Sequence, residues 1–378
     1  MSTFLRTTAL STKGARTLER ADYVSADVFA AEHARIFRRE WLCVGREAMI
    51  AAPGQYVLFE AGPDNLIVVR DRSGTVRALH NTCRHRGTRL CSEPCGELSE
   101  TIQCPYHAWT YGLDGRLLGV PDAKEMEDFD KADYPLKQAA VALWEGFVFV
   151  NLAERPEPFA EAFAPLISRF ARWNLGALTA ARRIDYDVRA NWKLLFQNYS
   201  ECYHCSPVHP SLTKLSSPTS GENDLVDGPF LGGFMTVTAP GGSLTVSGRA
   251  CGVPVADLPE EDMQRVYYYT IFPNMLLSLH PDYVMVHTFQ PVAIDRTHIS
   301  CEFLFHPATL ERTDLDPDDG VRFWDQVNRE DWDLCERTQL GVQSTAYEPG
   351  PYSRRESLCA AFDRHYRHVM AARGDELR

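Results

Sequence analysis

The chain has 378 residues, with 39 Lys or Arg against 51 Asp or Glu, so that its formal net charge is −12. This length suits about two domains of ordinary size. The acidic balance argues against a nucleic-acid partner, because phosphate binding requires a basic surface. The sequence also lacks the ~20 consecutive apolar residues that a membrane-spanning helix needs, so no membrane partner is expected.

The cysteine count is informative, because 11 cysteines cannot all be paired and a chain of this size needs no disulfide framework. The first twenty residues are rich in Ser and Thr and lack the apolar segment of a secretory signal, although a short transit peptide is an alternative. We therefore expect a cytoplasmic protein in which some cysteines bind a metal.

The hydrophobic pattern predicts a β-rich first half and a mixed second half. The expected elements are, in chain order, a helix over 26–41, β runs at 56–59, 66–69, 75–79 and 147–150, a helix over 159–173, a strand at 184–188, a helix over 191–205, strands at 231–238, 243–247, 266–272, 283–290 and 299–305, and a long helix over 318–340. Ser73-Gly74 and Asp114-Gly115 are typical of hairpin turns. Strands followed by a long helix indicate an α+β domain, and the boundary is expected near residue 155.

Two pairs of one cysteine and one histidine lie in the β region. Cys83 and His85 form the first pair and Cys104 and His107 the second, with eighteen residues between the pairs. Each pair follows a β run, so two loops can converge on one metal centre. Two thiolates and two imidazoles fit either a tetrahedral zinc or an iron–sulfur cluster in which two histidines replace two cysteines on one iron. The order C-x-H and C-x-x-H favours the cluster, because zinc loops usually pair like with like.

A second group of metal-type ligands lies at Glu201, His204 and His209. On a helix, Glu201 and His204 would share a face because they are three residues apart. His209 lies about 140° further round an ideal helix, so Pro207 and Pro210 are expected to break the helix and let it turn back. Two imidazoles and one carboxylate form the ligand set of non-haem Fe(II) oxygenases, which leaves positions open for O₂.

The motif from Cys104 to Tyr111 resembles the second cluster loop of Rieske ferredoxin domains, and only Ala108, where many members carry Gly, departs from it. With the motif from Asn198 to His209, the chain resembles the catalytic α subunits of Rieske non-haem iron oxygenases over nearly its whole length. The resemblance implies an α+β fold in which an all-β Rieske domain precedes a helix-grip (START/SRPBCC-like) catalytic domain, an antiparallel sheet wrapped round a long helix.

The same resemblance implies three parts of the chain. Residues 1–40 would be a helical segment that packs with the catalytic domain, 41–155 the Rieske [2Fe–2S] domain, and 156–378 the catalytic domain with a mononuclear non-haem iron.

In the cluster, the resemblance assigns Cys83 and Cys104 to the inner iron and His85 and His107 to the outer one. The other nine cysteines are expected to have no role, including Cys91 and Cys95 between the two loops.

At the mononuclear iron, the resemblance assigns His204, His209 and an aspartate far downstream. Asp331 matches the family position best, and Asp333 and Glu330 are the alternatives. Each of these acids could instead be an ordinary residue of a helix surface.

Glu201 has another role in this family, where a carboxylate at its position connects a cluster histidine of the neighbouring subunit to the iron site. The two centres within one chain are too far apart for fast electron transfer, so the family forms rings, commonly trimers. The pair here would be His107 of one subunit and Glu201 of the next. Asn198 is expected near the iron without being a ligand.

The segments 191–210 and 267–283 resemble most the choline monooxygenase, glycine betaine demethylase and carnitine monooxygenase branch, in which Glu at position 201 is typical. A quaternary ammonium group needs an aromatic cage, because cation–π attraction replaces lost hydration. Strand alternation sends Tyr267 and Tyr269 to one face and Tyr268 to the other. The candidates for the cage are Tyr203, Tyr267, Tyr269, Phe272, Tyr283 and Phe289.

The expected function is therefore that of the oxygenase component of a multicomponent system. A separate flavin and iron–sulfur reductase would supply electrons from NAD(P)H, and O₂ would hydroxylate or N-demethylate a small betaine. No G-x-G-x-x-G motif is evident, so the reductase is expected to be another polypeptide. An aromatic-ring-hydroxylating oxygenase and a non-catalytic Rieske electron carrier are the alternatives, since an apolar pocket would also hold a flat ring.

Overall fold

A computed structural model of the chain describes residues 4–372, so the outermost residues of the predicted terminal segments lie outside it. The chain divides into two compact units. The α+β unit consists of Met1–Ile36 with Phe163–Arg378, and the β unit is Phe37–Ala162, inserted between these two parts. In the part of the chain that the structure describes, every helix is too short or too polar to cross a membrane.

The strands of both units are numbered in chain order. They are β1 (Leu5–Arg6), β2 (Leu42–Arg46), β3 (Gln55–Ala61), β4 (Asp64–Arg70), β5 (Val76–His80), β6 (Cys95–Glu97), β7 (Thr101–Gln103), β8 (Thr110–Gly112), β9 (Leu117–Gly119), β10 (Gln138–Trp144), β11 (Phe147–Asn151), β12 (Thr179–Val188), β13 (Glu222–Leu225), β14 (Phe230–Thr236), β15 (Arg265–Ile271), β16 (Met275–Leu279), β17 (Val284–Ala293) and β18 (Arg296–Phe305).

The α-helices are numbered in the same way. They are α1 (Arg20–Val24), α2 (Ala26–Glu32), α3 (Phe159–Ala162), α4 (Trp192–Tyr199), α5 (Cys205–Val208), α6 (Leu212–Leu215), α7 (Pro307–Leu310), α8 (Pro317–Gln343) and α9 (Ser357–Ala372).

The β unit contains a seven-stranded sheet in the order β2-β11-β10-β5-β4-β3-β6 and a three-stranded sheet β7-β8-β9, both antiparallel. Both predicted hairpin turns are confirmed, because Gly74 and Gly115 lie between paired strands with positive φ. The first turn is closed by Asp71, whose carboxylate accepts the backbone amides of Ser73 and Thr75 at 2.9 and 3.0 Å. These turns set the register of the strands that carry the two Cys-His loops.

The α+β unit is built on an eight-stranded antiparallel sheet in the order β1-β13-β14-β15-β16-β17-β18-β12. The predicted long helix is confirmed as α8, and Asp316 caps it by accepting the amide of Asp318. The helix packs on the sheet through its tryptophans, of which Trp324 donates from Nε1 to the hydroxyl of Tyr283 at 2.7 Å. This packing fixes which face of α8 points away from solvent.

Several predicted elements differ from the observed ones. The helix predicted over 159–173 ends at Ala162, because Pro165 has no amide to donate and disrupts a helix interior. The segment predicted as a strand at 243–247 is irregular, and Ser243 in it donates its hydroxyl to Asp282 at 3.0 Å. Strand β16 and helix α9 were not predicted.

A buried salt bridge, together with a hydrogen bond to its carboxylate, connects three helices of the α+β unit. Glu32 on α2 and Lys193 on α4 are both fully buried and in contact. The same carboxylate accepts Trp192 Nε1 at 2.9 Å and the Tyr366 hydroxyl of α9 at 2.7 Å. Burial lowers the pKa of Lys193, and the adjacent Glu32 opposes this effect. Helix α4 is thereby held on both sides before it reaches the residues of the second motif.

We expect Glu32→Met to lower the free energy of unfolding by about 3–5 kcal/mol, because Lys193 would then be buried without a counter-charge. The double variant Glu32→Met with Lys193→Met should recover much of that loss, as it removes both buried charges. Urea denaturation followed by circular dichroism measures both effects. As a control, Asp333→Ala breaks an exposed pair with Arg337 and should cost about 0.3–0.5 kcal/mol. A Glu32→Met variant as stable as the wild type would contradict this account.

Candidate metal centres

Glu201 and His204 are brought together by a turn and not by a helix face. Helix α4 begins after Asn191, whose side chain caps it by accepting the amide of Lys193 at 3.0 Å, and it ends at Tyr199. The predicted helix was therefore too long. The short helix α5 follows, and Pro207 lies inside it. The helical conformation is therefore interrupted before α5 and not at this proline. A proline is tolerated there because amides of the first helical turn need no intrahelical acceptor.

The ends of α5 carry the two histidines to one carboxylate. His204 precedes the first residue of α5 and His209 follows its last. Nε2 of His204 lies 3.1 Å from Oδ1 of Asp331, and Nε2 of His209 lies 2.9 Å from the same oxygen. One ligand atom from each of the three residues lies within 4.8 Å of the others. The structure thus brings the two histidines of the sequence motif together with Asp331, the acid that the family resemblance favoured.

Each imidazole is oriented by a second carboxylate on its other nitrogen. Nδ1 of His204 lies 2.6 Å from Oε1 of Glu201, and Nδ1 of His209 lies 2.7 Å from Oε2 of Glu330. Carboxylates on the outer nitrogens of metal-binding histidines fix ring orientation and raise ligand basicity. Glu330 therefore has an orienting position, whereas the Asp333 side chain is 61% exposed and pairs with Arg337. Of the three acids considered, Asp331 is the one that faces both histidines.

The charges of this group favour a bound cation. Burial raises the pKa of Asp331, but hydrogen bonds from His204 and His209 outweigh it and lower the pKa to about 2. Burial lowers the pKa of His204, but hydrogen bonds to Asp331 and Glu201 raise it to about 10, and the pKa of His209 is raised by Asp331 in the same way. The carboxylates thus stabilise positive charge at this point. Two imidazole nitrogens and one carboxylate oxygen are a donor set that fits Fe(II).

The two Cys-His loops of the β unit have the same backbone conformation. The amide of Gly87 donates to the carbonyl of Cys83 at 3.0 Å, and the amide of Ala108 donates to that of Cys104 at 3.1 Å. Gly87 has a φ of 77° and Ala108 a φ of 53°, in the left-handed region where a Cβ is unfavourable. A glycine would adopt this conformation at position 108 more easily than Ala108 does.

The side chains of the loops fit a metal cluster. Cys83 and Cys104 are free and buried, and the rings of His85 and His107 lie 4.8 Å apart. His85 stacks on Trp109 with a centroid distance of 4.9 Å. Nδ1 of His107 is buried without a hydrogen-bond partner among residues 4–372. A buried nitrogen in this condition is costly unless it binds a ligand, which is what a cluster would provide.

A cavity of about 420 Å³ adjoins the three residues around Asp331. Asn198, Glu201, His204 and His209 line it together with Asp331. It lies within the α+β unit, and its lining residues come from the sheet, from α4, α5, α6, α8 and α9 and from the loops between them. A small molecule bound in this cavity would reach the metal-type ligands directly.

Comparison with known proteins identifies both units. Residues 40–134 match the Rieske [2Fe-2S] domain, and residues 175–372 match the ring hydroxylating alpha subunit (catalytic domain). The chain belongs to the Rieske ring-hydroxylating oxygenases. It is an oxygenase subunit and an oxidoreductase, and the predicted α+β fold class is confirmed.

Three relatives of this oxygenase are informative. The glycine betaine monooxygenase oxygenase subunit of Chromohalobacter salexigens is 34% identical over 380 aligned positions, covering 90% of this chain and 83% of the relative. A solved quaternary ammonium Rieske monooxygenase, associated with carnitine oxidation and inter-subunit electron transfer, matches with a TM-score of 0.82, 25% identity and coverage of 98% and 100%. Naphthalene 1,2-dioxygenase from Rhodococcus matches with a TM-score of 0.75, 21% identity and coverage of 94% of each chain, and so shares the fold.

The aromatic residues predicted for the oxygenase pocket do not line the cavity. These are Tyr203, Tyr267, Tyr269, Phe272, Tyr283 and Phe289. The hydroxyls of Tyr267 and Tyr269 donate to Asp262 and Asp224 at 2.6 and 3.1 Å. Tyr203 is 52% exposed, and Phe272 and Phe289 are buried in the core. Strand β15 therefore presents Tyr268 to the cavity, the face opposite to the one predicted.

Five other aromatic residues line the cavity, namely Tyr199, Phe234, Tyr268, Trp324 and Trp332. Trp324 lies seven residues before Asp331, so both share one face of α8. This spacing could have identified Trp324 once Asp331 was chosen. Tyr199 and Trp332 each directly follow a predicted site residue, Asn198 and Asp331, but adjacency alone predicts no contact.

The expectation that only two cysteines of the oxygenase have a role was wrong. A disulfide joins Cys202, in the loop after Glu201, to Cys205, the first residue of α5, and both residues line the cavity. Their spacing of three residues was a signal available in the sequence. Cys91 and Cys95 are free, one buried and one exposed.

We expect Asp331→Ala to lose the mononuclear iron, while Asp333→Ala retains it, since the Asp333 side chain pairs with Arg337 at the surface. Glu330→Gln should weaken iron binding by about 10- to 100-fold, because it removes the charge that orients His209. Iron per chain after anaerobic loading measures this effect, and the visible absorption of the cluster serves as an internal control. Equal loss of iron in the Asp331 and Asp333 variants would contradict the assignment.

Proposed function

We propose that this oxygenase oxidises a methyl group of a small trimethylammonium compound. In the reaction, the substrate, O₂, two electrons and two protons give a hydroxymethyl ammonium product and water. The product then loses formaldehyde and a proton to leave a dimethylamine, so the net result is N-demethylation. The observation that carries this proposal is the wall of five aromatic rings beside two carboxylates.

Three rings of this wall lie next to one another. The centroids of Tyr199 and Tyr268 are 6.0 Å apart and those of Tyr268 and Trp324 are 6.3 Å apart, both in edge-on geometry. A quaternary ammonium cannot donate hydrogen bonds, so electron-rich ring faces are its natural partners. Glu201 and Asp331 add negative charge to the same cavity. A neutral arene would gain from the rings but not from the carboxylates.

We further propose which residues hold the two iron centres of the family. The cluster ligands would be Cys83, His85, Cys104 and His107, and the mononuclear Fe(II) ligands His204, His209 and Asp331. The support for these sets is the buried, unpaired Nδ1 of His107 and the clustered donors at Asp331. When bound, the two centres supply electron transfer and activation of O₂.

In this scheme Glu201 has two tasks. Its Oε1 orients His204 through Nδ1, while its Oε2 accepts the backbone amides of Tyr203 and His204. We propose that the same carboxylate meets His107 of the neighbouring subunit, so that electrons cross between subunits of a homotrimer. A carboxylate held rigidly by its own loop is suited to such a contact, because little entropy is lost when the partner binds.

The remaining components follow from the same proposal. Electrons would come from NAD(P)H through a separate flavin and iron–sulfur reductase. The system would work in the cytoplasm, where NAD(P)H is regenerated. Asn198 lines the cavity beside the metal ligands and would contact the bound substrate or a water molecule.

The substrate class can be tested with the loaded oxygenase and a surrogate reductase. We expect glycine betaine, carnitine or choline to yield formaldehyde in proportion to NADH consumed, and naphthalene to yield no oxidised product. Trp324→Leu should raise the KM of the ammonium substrate about tenfold through the loss of a cation–π partner, whereas Trp324→Phe should raise it less. Oxidation of the arene without formaldehyde from any ammonium compound would overturn the proposal. Unchanged function in His204→Ala would favour the electron-carrier alternative.

The role of Glu201 has a separate test. Glu201→Gln should bind both iron centres but form product at least about tenfold more slowly, because a neutral amide no longer orients and charges the His204 ring. The measurement is the rate of cluster reoxidation in a single turnover with substrate and O₂, with exposed Glu311→Gln as the control. Wild-type reoxidation in Glu201→Gln would show that electrons take another route.

A further inference from the structure

The charged groups that line the cavity are mostly engaged by other parts of the chain. Glu201 and Asp331 accept hydrogen bonds from the two histidines. Arg355 donates to the carbonyl oxygens of Cys202 and Pro218, both at 3.0 Å. These groups hold the loop before α5 in place and are not available to bind the far end of a substrate.

Arg6 is the exception among the charged residues of this lining. It belongs to the cavity wall, its side chain is exposed, and no hydrogen bond or ion pair engages its guanidinium within residues 4–372. A guanidinium in this position offers a planar, permanently charged donor to any anion that enters the cavity. The aromatic wall and Arg6 therefore offer one bound molecule two different binding groups, one suited to a cation and one suited to an anion.

The backbone that carries Arg6 is held firmly. Strand β1 pairs Arg6 with Glu222, and the amide of Thr7 donates to the carbonyl of Gly221 at 3.1 Å. On the other side, the hydroxyl of Ser357 donates to the carbonyl of Thr7 at 3.1 Å. A Cβ at position 221 would lie 2.9 Å from Thr7 Oγ1, so the two segments approach as closely as a glycine allows. Contact with a ligand would then cost the entropy of one side chain and not of a loop.

We propose that Arg6 binds the carboxylate of a zwitterionic substrate and makes the enzyme selective for trimethylammonium carboxylates over trimethylammonium alcohols. This inference rests on the proposed function for the ammonium end of the ligand. A guanidinium and a carboxylate form charge-assisted, often bidentate hydrogen bonds. An alcohol such as choline carries the same ammonium group but no anion, so it meets the positive charge of Arg6 without compensation.

The test compares ligands that differ in one group at a time. Glycine betaine carries a carboxylate where choline carries an alcohol, and both carry the same trimethylammonium group. Benzoate and benzyl alcohol differ in the same way, but they carry a phenyl ring in place of the ammonium group. Binding to the anaerobic, iron-loaded oxygenase is measured by calorimetry for the wild type, Arg6→Gln, Arg6→Lys and Lys13→Gln. Lys13 is an exposed cation of the same N-terminal segment that does not line the cavity, so its variant controls for net charge.

We expect Arg6→Gln to weaken glycine betaine binding about tenfold or more, the factor for one lost charge-assisted hydrogen bond, and to leave choline binding unchanged or tighter. Arg6→Lys should retain part of the affinity, and Lys13→Gln should match the wild type. Equal weakening for glycine betaine and choline, or no weakening for either, would overturn the role of Arg6.

The design separates the two proposals. If glycine betaine is demethylated but Arg6→Gln binds it as the wild type does, the proposed function stands and the role of Arg6 is refuted. If the enzyme binds benzoate in place of glycine betaine, and Arg6→Gln weakens benzoate but not benzyl alcohol, the ammonium substrate is refuted while Arg6 is still supported as a carboxylate-binding residue.

Discussion

The contact that the catalytic unit depends on is the shared carboxylate oxygen of Asp331, which receives Nε2 of both His204 and His209. It joins the long helix α8 to the short helix α5, two elements far apart in the sequence. In a buried setting, the carboxylate and the two imidazoles stabilise one another's charges, which is why the pKa of Asp331 falls to about 2 despite its burial. A metal that binds here would find its three ligands already close together.

Helix α8 provides both the chemistry and the shape of the cavity. Trp324, Val327, Asn328 and Asp331 follow one another at helical spacing, and all four line the cavity. The acid and the aromatic wall are therefore parts of one rigid element, so a substrate held by Trp324 has a fixed position relative to Asp331. The opposite side of the site depends on α4, which the buried Glu32–Lys193 contact holds in place.

The sequence predicted correctly the features that depend on residues close together in the chain, and it was less accurate for the others. The two Cys-His loops and the Glu201–His209 motif were recognised because each is a short run with its own spacing. The length of α4 was overestimated, since local periodicity does not show that the turn at Glu201 is stabilised by its side chain accepting the amides of Tyr203 and His204. The helix predicted over 159–173 was wrong for a local reason, because Pro165 interrupts the helical pattern.

The sequence by itself determined the family and the fold class, because the metal-type motifs consist of residue types at set spacings, and the family resemblance favoured Asp331 over Asp333 and Glu330 for the position facing the two histidines. Only the tertiary structure decided which aromatic rings line the cavity, since both faces of β15 carry tyrosines and the pattern does not say which one the sheet turns toward α8. The position of Arg6 was equally inaccessible. Its backbone is held by Glu222, Gly221 and Ser357, more than 200 residues away, and contacts of that range leave no periodicity in the sequence.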